Sequence, residues 1–407
     1  MIHVVFCVPY ALEASLRFVR AVAALPGVRL GIISHQPAEK MPAEVRAAVV
    51  GYEVIADAQD PEQLTHAVRA VARRMAGRVD RLLGILEQLQ VPLAQVRERL
   101  GIEGIGVEAA HNFRDKARMK TVLREAGLPC ARHALAGSLA EATAFAERCG
   151  FPLVVKPPAG AGALNTCRVE SVEQLEGYLR ALPPSDRAPV LLEEFITGRE
   201  HSFDSVSLDS QHVFHSISRY FPSPLEVMET PWIQWCVLLP RHIDTPEFAD
   251  ITQVGRTALA RLGMVTGLSH MEWFRRDDGS LAISEVAARP PGAQFTTLLS
   301  HAHDFDFYRA WAELMVFDRF EAPARDYAAG AAFLRGQGEG RVVAIRGIEE
   351  AQREFGDIVV EAKLPRAGQA RASSYEGEGY VILRHPDTER VERALARVVE
   401  IIQVELG

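Results

Sequence analysis

Two apolar runs, SHMEWF and LAISEVA, flank the triplet Asp277-Asp278-Gly279, and no other stretch constrains the fold of this chain so tightly. An Asp-Gly step between strand-like runs is a strong hairpin signal, so the two runs are expected to pair as antiparallel strands. Each carries one glutamate flanked by apolar residues, Glu272 and, 13 residues on, Glu285. A carboxylate on a buried strand is costly unless it is paired or bound to a metal. Two of them on paired strands repel each other, and a hard divalent cation resolves the conflict; magnesium favours one or two carboxylates with phosphates completing its shell. Arg289 follows four residues past Glu285, where the strand runs out into Pro290-Pro291-Gly292. It either clamps a phosphoryl group or simply pairs with Glu285.

The rest of the chain sorts into units around this hairpin. In the first third, HVVFCV and LGIISH read as strands alternating with helical patterns over residues 12–25 and 61–75, which predicts a parallel sheet covered by helices. RVDRLLGILEQ leads into a further helix that stops near Gly101. A new unit begins near Arg114: RDKARMKTVLREAGLP is an amphipathic helix with Gly127 just past its end and Pro129 beyond. FPLVVKPP and PVLLEEFI follow as strands, with SVEQLEGYLRAL between them as a Ser-capped helix. EHSFDSVSL and QHVFHSISRY read as a hairpin, RVVAIRG and GYVILRH as strands, and residues 387–405 as a closing helix. The expected units are 1–113, 114–200, 201–325 and 326–407.

Composition narrows the function classes. With 407 residues, 48% hydrophobic and 24% charged, the chain has room for several packed cores, and its net charge of -8 offers no basic stripe for nucleic acid. Met1 leads into IHVVFCVPY, of strand length and without a positive flank, and no apolar run reaches roughly 18 residues, so a cytoplasmic protein without a membrane partner is expected. The five cysteines are scattered without C-x-x-C pairing and read as reduced structural thiols. VVFCVPYALEAS lacks the glycines that pyrophosphate binding by a dinucleotide fold requires.

Three further stretches carry polar residues in suggestive places. VVKPPAGAG sets Lys156 at a strand end before a loop of small residues, Gly160 and Gly162 among them, whose backbone N–H groups could approach phosphate oxygens; a structural turn explains the loop as well. LLEEFITGREHSF places Glu193 and Glu194 at a strand end, then Phe195 and Ile196, then Glu200: a purine-reading connector with a ribose-binding acid, or a solvated strand end. RYFPSPLEVMETPWIQW reads as a loop, with Arg219, Glu229 and Trp232 as substrate-facing candidates. His301, His303, Asp304 and Asp306 look like metal ligands but lead into FYRAWAELM, and are read as the start of a helix with Asp304 or Asp306 as its cap.

Taken in chain order, Lys116 in RDKARMK, Lys156 in VVKPPAGAG, then EEFITGRE, HMEWF and EVAARPPG resemble the ATP-grasp superfamily, in particular its carboxylate-amine ligases, among them the L-amino acid ligases. The resemblance extends over residues 1–407, with its motifs between Lys116 and Gly292. It implies a multidomain α/β and α+β chain with the ATP-grasp fold, in which a pre-ATP-grasp parallel-sheet domain (1–113) precedes two lobes that enclose the nucleotide. By the same resemblance Lys116 and Lys156 hold ATP phosphates, Glu193, Glu194, Phe195 and Ile196 meet adenine, Glu200 the ribose, and Glu272 and Glu285 one or two Mg²⁺ or Mn²⁺ ions. Arg289 matches the arginine beside the reacting groups. Family members commonly carry Asn two residues after the second metal-binding acid, where this chain has Ala287, which implies a second metal that is weaker or held by Glu285 and phosphates alone. The implied reaction joins a small carboxylic acid to an amine or amino acid through an acyl phosphate, releasing ADP and phosphate, in a protein for which a homodimer is an allowed state. A biotin carboxylase-like enzyme that activates bicarbonate and a nucleotide-binding protein without turnover are the competing readings.

Overall fold

Residues 1–160, 165–230, 233–374 and 376–407 are described by the structure, a computed structural model. The N-terminal strands β1 (Ile2–Cys7), β2 (Val28–Ser34), β3 (Val49–Val54) and β4 (Arg81–Leu83) form a parallel sheet in the order β3-β2-β1-β4. Val4, Val5 and Phe6 are wholly buried, as a strand covered on both faces requires. Helix Glu13–Ala23 packs against one core and helix Pro61–Arg74 against the other. The second helix starts where Asp60 accepts hydrogen bonds from the N–H groups of Glu62 and Gln63, with Pro61 at its first position.

A smaller antiparallel sheet follows, built from β5 (His133–Ala136), β6 (Leu153–Lys156), β7 (Cys167–Val169) and β8 (Val190–Glu194) in the order β5-β8-β6-β7. Helices Leu139–Cys149 and Val172–Ala181, capped by Ser138 and Ser171, contribute Phe145, Leu175 and Leu179 to a core of its own.

The remaining strands are β9 (Arg199–Leu208), β10 (Gln211–Phe221), β11 (Trp235–Leu239), β12 (Gly267–Arg275), β13 (Leu281–Ala287), β14 (Ala328–Leu334), β15 (Gly336–Gln337), β16 (Val342–Arg346), β17 (Val359–Lys363), β18 (Gly379–His385) and β19 (Gln403–Leu406). Eight of them form one sheet in the order β13-β12-β9-β10-β11-β14-β18-β17, with every neighbour antiparallel. The expected boundary between residues 325 and 326 therefore falls just before β14, a strand inside this sheet.

Two expectations need correction. The closing helix ends at Ile401, and the residues after it turn into β19, which runs between β15 and β16. The stretch 219–235 is not one loop: Arg219–Phe221 complete β10, Pro224–Glu229 form a short helix capped by Ser223, and Trp235 opens β11. Asp306 caps helix Phe307–Phe317, as its spacing predicts, whereas Asp304 closes the preceding helix Phe295–His303 in a left-handed conformation.

Candidate active site

The Asp-Gly hairpin is present, and it sets Glu272 of β12 directly opposite Glu285 of β13. The pairing register shifts immediately after this pair, leaving Ser284 as an extra residue on β13. A bulge turns backbone groups out of the ladder. Here the Ser284 carbonyl accepts a hydrogen bond from Lys120 Nζ at 2.6 Å.

Lys116 and Lys120 lie one turn apart on the helix Lys116–Glu125, so both amines emerge on the same face. Asp115 caps this helix, and the Lys116 N–H donates to the Pro158 carbonyl, which ties the helix start to the loop after β6. Lys116 Nζ donates to Glu285 Oε1 at 2.8 Å and to the Gly160 carbonyl at 3.1 Å. Glu193, on β8, is buried between two cations: Lys156 Nζ lies 2.8 Å from Oε2 and Lys120 Nζ 3.4 Å from Oε1.

Electrostatics in this group follow from burial and pairing. Burial alone would raise the Glu193 carboxyl, but the two lysines hold it below the ordinary carboxylate range. Lys156 is depressed by burial and raised more by Glu193 and Glu285, so it stays charged. Burial would likewise raise Glu285, yet Lys116, Lys156 and Arg289 bring it down to about 2. Glu200 goes the other way: burial and the nearby Glu272 charge outweigh Lys156 and His270 and push it well above the ordinary value.

On β12, His270 sits between two acids, with Nδ1 2.6 Å from Asp204 Oδ1 and Nε2 3.6 Å from Glu272 Oε1. Burial disfavours the charged ring, but Asp204 and Glu272 outweigh it and raise His270 to about 10, making it an imidazolium at neutral pH. Asp204 Oδ2 in turn accepts from Ser202 Oγ at 2.6 Å. Arg289 is paired through Nε with Glu87 and donates from Nη1 to the Pro290 carbonyl at 2.8 Å. Glu87 belongs to the N-terminal unit, so the arginine is positioned across a unit boundary.

Lys116, Lys156, Gly160, Glu193, Glu194, Phe195, Ile196, Glu200, Glu272, Glu285, Ala287 and Arg289 all line one cavity of about 530 Å³. Gly162 and Trp232 lie outside the described residues. Two details differ from the expected adenine contacts: the Glu193 carboxylate is held by lysines, and the Phe195 N–H donates to the Pro152 carbonyl at 3.1 Å. Glu194 pairs with Arg132 and Arg276, each at 2.7 Å.

The described substrate-facing candidates, Arg219 and Glu229, are placed elsewhere. Arg219 turns away from the cavity towards Glu247 and the Phe248 ring, because alternation along β10 gives the inward position to Tyr220. Glu229 is exposed and does not line the cavity; Tyr220, Ser223, Leu225 and Glu226 do.

Residues 121–305 match the ATP-grasp domain family. That match spans a little under half of the chain. It is 26% identical over 247 residues to the L-arginine-specific L-amino acid ligase of Bacillus subtilis, an alignment that takes in 59% of either chain. The chain thus matches about 59% of the length of that relative. Among solved structures, an L-amino acid ligase from Bacillus licheniformis superimposes with a TM-score of 0.79 at 18% identity, covering 100% of this chain and 99% of that one. N5-carboxyaminoimidazole synthetase from Staphylococcus aureus, complexed with ADP, gives 0.73 at 13% identity, covering 98% and 97%. The likeness at these identities is one of fold: the ATP-grasp fold with its N-terminal parallel sheet.

Four residues around the ATP-grasp cavity were not singled out by sequence. Lys120 carried a usable signal, since it lies one helical turn from Lys116. His270 stands two residues before Glu272, on the same face of β12, a period-2 signal that an apolar run obscures. Asp204 and Glu87 carried none, because their partners come from distant parts of the chain.

Proposed function

We propose that this protein is an ATP-dependent carboxylate-amine ligase that joins a small carboxylic acid to an amine, in the first instance an amino acid, by an amide bond. The observation that carries the reading is the pairing of Glu272 with Glu285 across one hairpin, inside a cavity that Lys116, Lys156 and Arg289 also line. Attack of a carboxylate on a γ-phosphate brings two anions together, and fixed cations lower that barrier. The B. subtilis relative, named as an L-amino acid ligase, supports the substrate class, and the ADP complex of the S. aureus neighbour supports the nucleotide.

Magnesium fits the donors present. Among the described residues no group of three or more His, Cys, Asp or Glu side chains could hold a metal, but two facing carboxylates suffice for an ion that takes its other ligands from phosphate and water. Glu272 and Glu285 would hold it. When bound, it would supply charge neutralisation at the phosphate oxygens.

The chain's own residues do the rest. Lys116 and Lys156 draw the phosphates, and Lys156 is kept in place by Glu193, itself braced by Lys120. Arg289, fixed by Glu87, faces the oxygens that gain charge as phosphorus passes from ADP to the substrate carboxylate. The resulting acyl phosphate is attacked at carbon by the amine, which loses a proton as phosphate departs.

Product analysis tests this reading. ADP and inorganic phosphate should appear in equal amounts, dependent on both an acid and an amine, and hydroxylamine in place of the amine should yield a hydroxamate. AMP with pyrophosphate would overturn the phosphate-site assignment, and turnover sustained only by bicarbonate with biotin would replace the ligase reading with a carboxylase.

A further inference from the structure

A second cavity, of about 410 Å³, lies beside β10 beyond the point where β11 pairs with Arg219, Tyr220 and Phe221. Its lining includes Arg241, Arg325, His215 and His303, against one carboxylate, the exposed Asp244. None of these residues lines the larger cavity.

The hydrogen-bonding of this lining is incomplete. Arg325 donates from Nη1 to Ser216 Oγ at 3.0 Å, but its Nε and Nη2 are buried with no partner among the described residues, and so is Nε of Arg241. Buried guanidinium N–H groups without acceptors are costly and uncommon in native proteins. Burial lowers Arg325 to about 9, which still leaves it charged at neutral pH. Three donor nitrogens on two cations call for an oxyanion.

His303 narrows the choice of anion. Its Nδ1 lies 2.8 Å from the Ala324 carbonyl, an acceptor only, so Nδ1 carries the proton. Burial, reinforced by Arg325, lowers the ring to about 4, so it is neutral and its unpartnered Nε2 is an acceptor. The cavity therefore offers donors to an anion and, in His303 Nε2, an acceptor for a hydroxyl hydrogen. Inorganic phosphate near neutral pH has both, whereas sulfate and acetate carry no proton.

We propose that this cavity is a binding site for hydrogen phosphate, held by Arg325 and Arg241 through its charged oxygens and by His303 through its P–OH group. Arsenate shares the charge and protonation of phosphate and scatters anomalously, so crystals of the full chain soaked in arsenate should show a peak between Arg325 and Arg241. Calorimetric titration with inorganic phosphate should show a site that loses roughly tenfold or more in affinity in Arg325→Met, the expected cost of removing a charged hydrogen bond. The melting temperature of that variant checks its fold, and Arg241→Met, expected to weaken the same site, serves if it is unfolded. Sulfate should bind the wild type at least tenfold more weakly than phosphate. Arsenate peaks confined to other places, or phosphate titrations identical in wild type and both folded variants, would overturn the proposal. Either result would leave the ligase reading untouched, because the two cavities share no residue.

Discussion

His270 is a buried cation held by two acids, and its charge links stability to pH. Its value rises from the ordinary 6.5 to about 10 in the folded chain. Between those limits the folded protein keeps a proton that the unfolded chain has released, so this contribution is complete below pH 6.5 and fades as pH rises towards 10. His270→Gln should therefore flatten the fall in melting temperature across this window; an unchanged slope would mean that Asp204 and Glu272 do not hold the ring charged. Glu285→Gln should leave the fold intact and cut turnover by about 10² to 10³, the usual cost of a key electrostatic group; a folded variant with wild-type rate at saturating Mg²⁺ would remove this acid from the chemistry. Ala287 is buried, lines the cavity and stands opposite His270. Ala287→Asn adds an oxygen ligand there and should lower the Mg²⁺ concentration for half-maximal rate, whereas an unchanged dependence in an active variant would show that the position does not face metal. The acids on the hairpin were legible because apolar neighbours and a turn fix their register. Glu87 and Asp204 were not, because nothing local to them signals a partner 202 or 66 residues away.

At the scale of elements, close approach rather than chemistry fixes the connector between β8 and β9. Gly198 has φ of +141°, and a Cβ on it would run into the backbone carbonyl of Arg275. That oxygen cannot swing aside as a side chain could. Gly198→Ala should cost about 1–3 kcal/mol through strain and overpacking and raise the KM for ATP, since Phe195, Ile196 and Glu200 flank it in the cavity wall. A melting temperature equal to wild type would show that the connector is free to shift. Elements with strong local signals were readable: Asp60, Ser171 and Asp387 cap helices, and Gly279 turns the hairpin with φ of +83°. Short elements were not. β4 spans three residues, and QVEL at the end of a strongly amphipathic helix continues an apolar pattern until tertiary pairing with β16 makes it a strand. A helix of six residues inside a proline-rich segment was hidden for the same reason.

For the molecule as a whole, the first unit shares an apolar core with the large sheet's unit, with Phe6 and Phe18 against Trp311, whereas the small sheet joins them at the cavity mainly through polar contacts. Glu87 reaches from the first unit to Arg289, and Glu193 and Lys156 stand on the small sheet across from Glu272 and Glu285 on the large one. The small sheet with its two helices closes its own core, and apolar contact with the large sheet is slight, centred on Ala131, Ile196 and Ala282 with Phe274 packed against them. Polar contacts bridge the rest: Arg276 to Glu194, and Lys116, which is paired with Glu285, to the Gly160 carbonyl. A unit with an independent core and a thin, polar seam can rotate as a body, since little buried apolar area is exposed when it moves. The acyl phosphate of the proposed reaction would need such closure, because water must be kept from it. Residues 127–197 should accordingly close over the cavity when a non-hydrolysable ATP analogue binds with Mg²⁺. Hydrogen exchange should slow at β6, β8 and Gly160, and protease cleavage near Gly160 should diminish. Arg276→Gln, which removes one bridge without touching the small sheet's core, should speed exchange at the seam of the nucleotide-free protein while leaving β7 unchanged. Equal exchange and equal cleavage with and without the analogue, under conditions where its binding is measured directly, would mean that the cavity is already in its working shape.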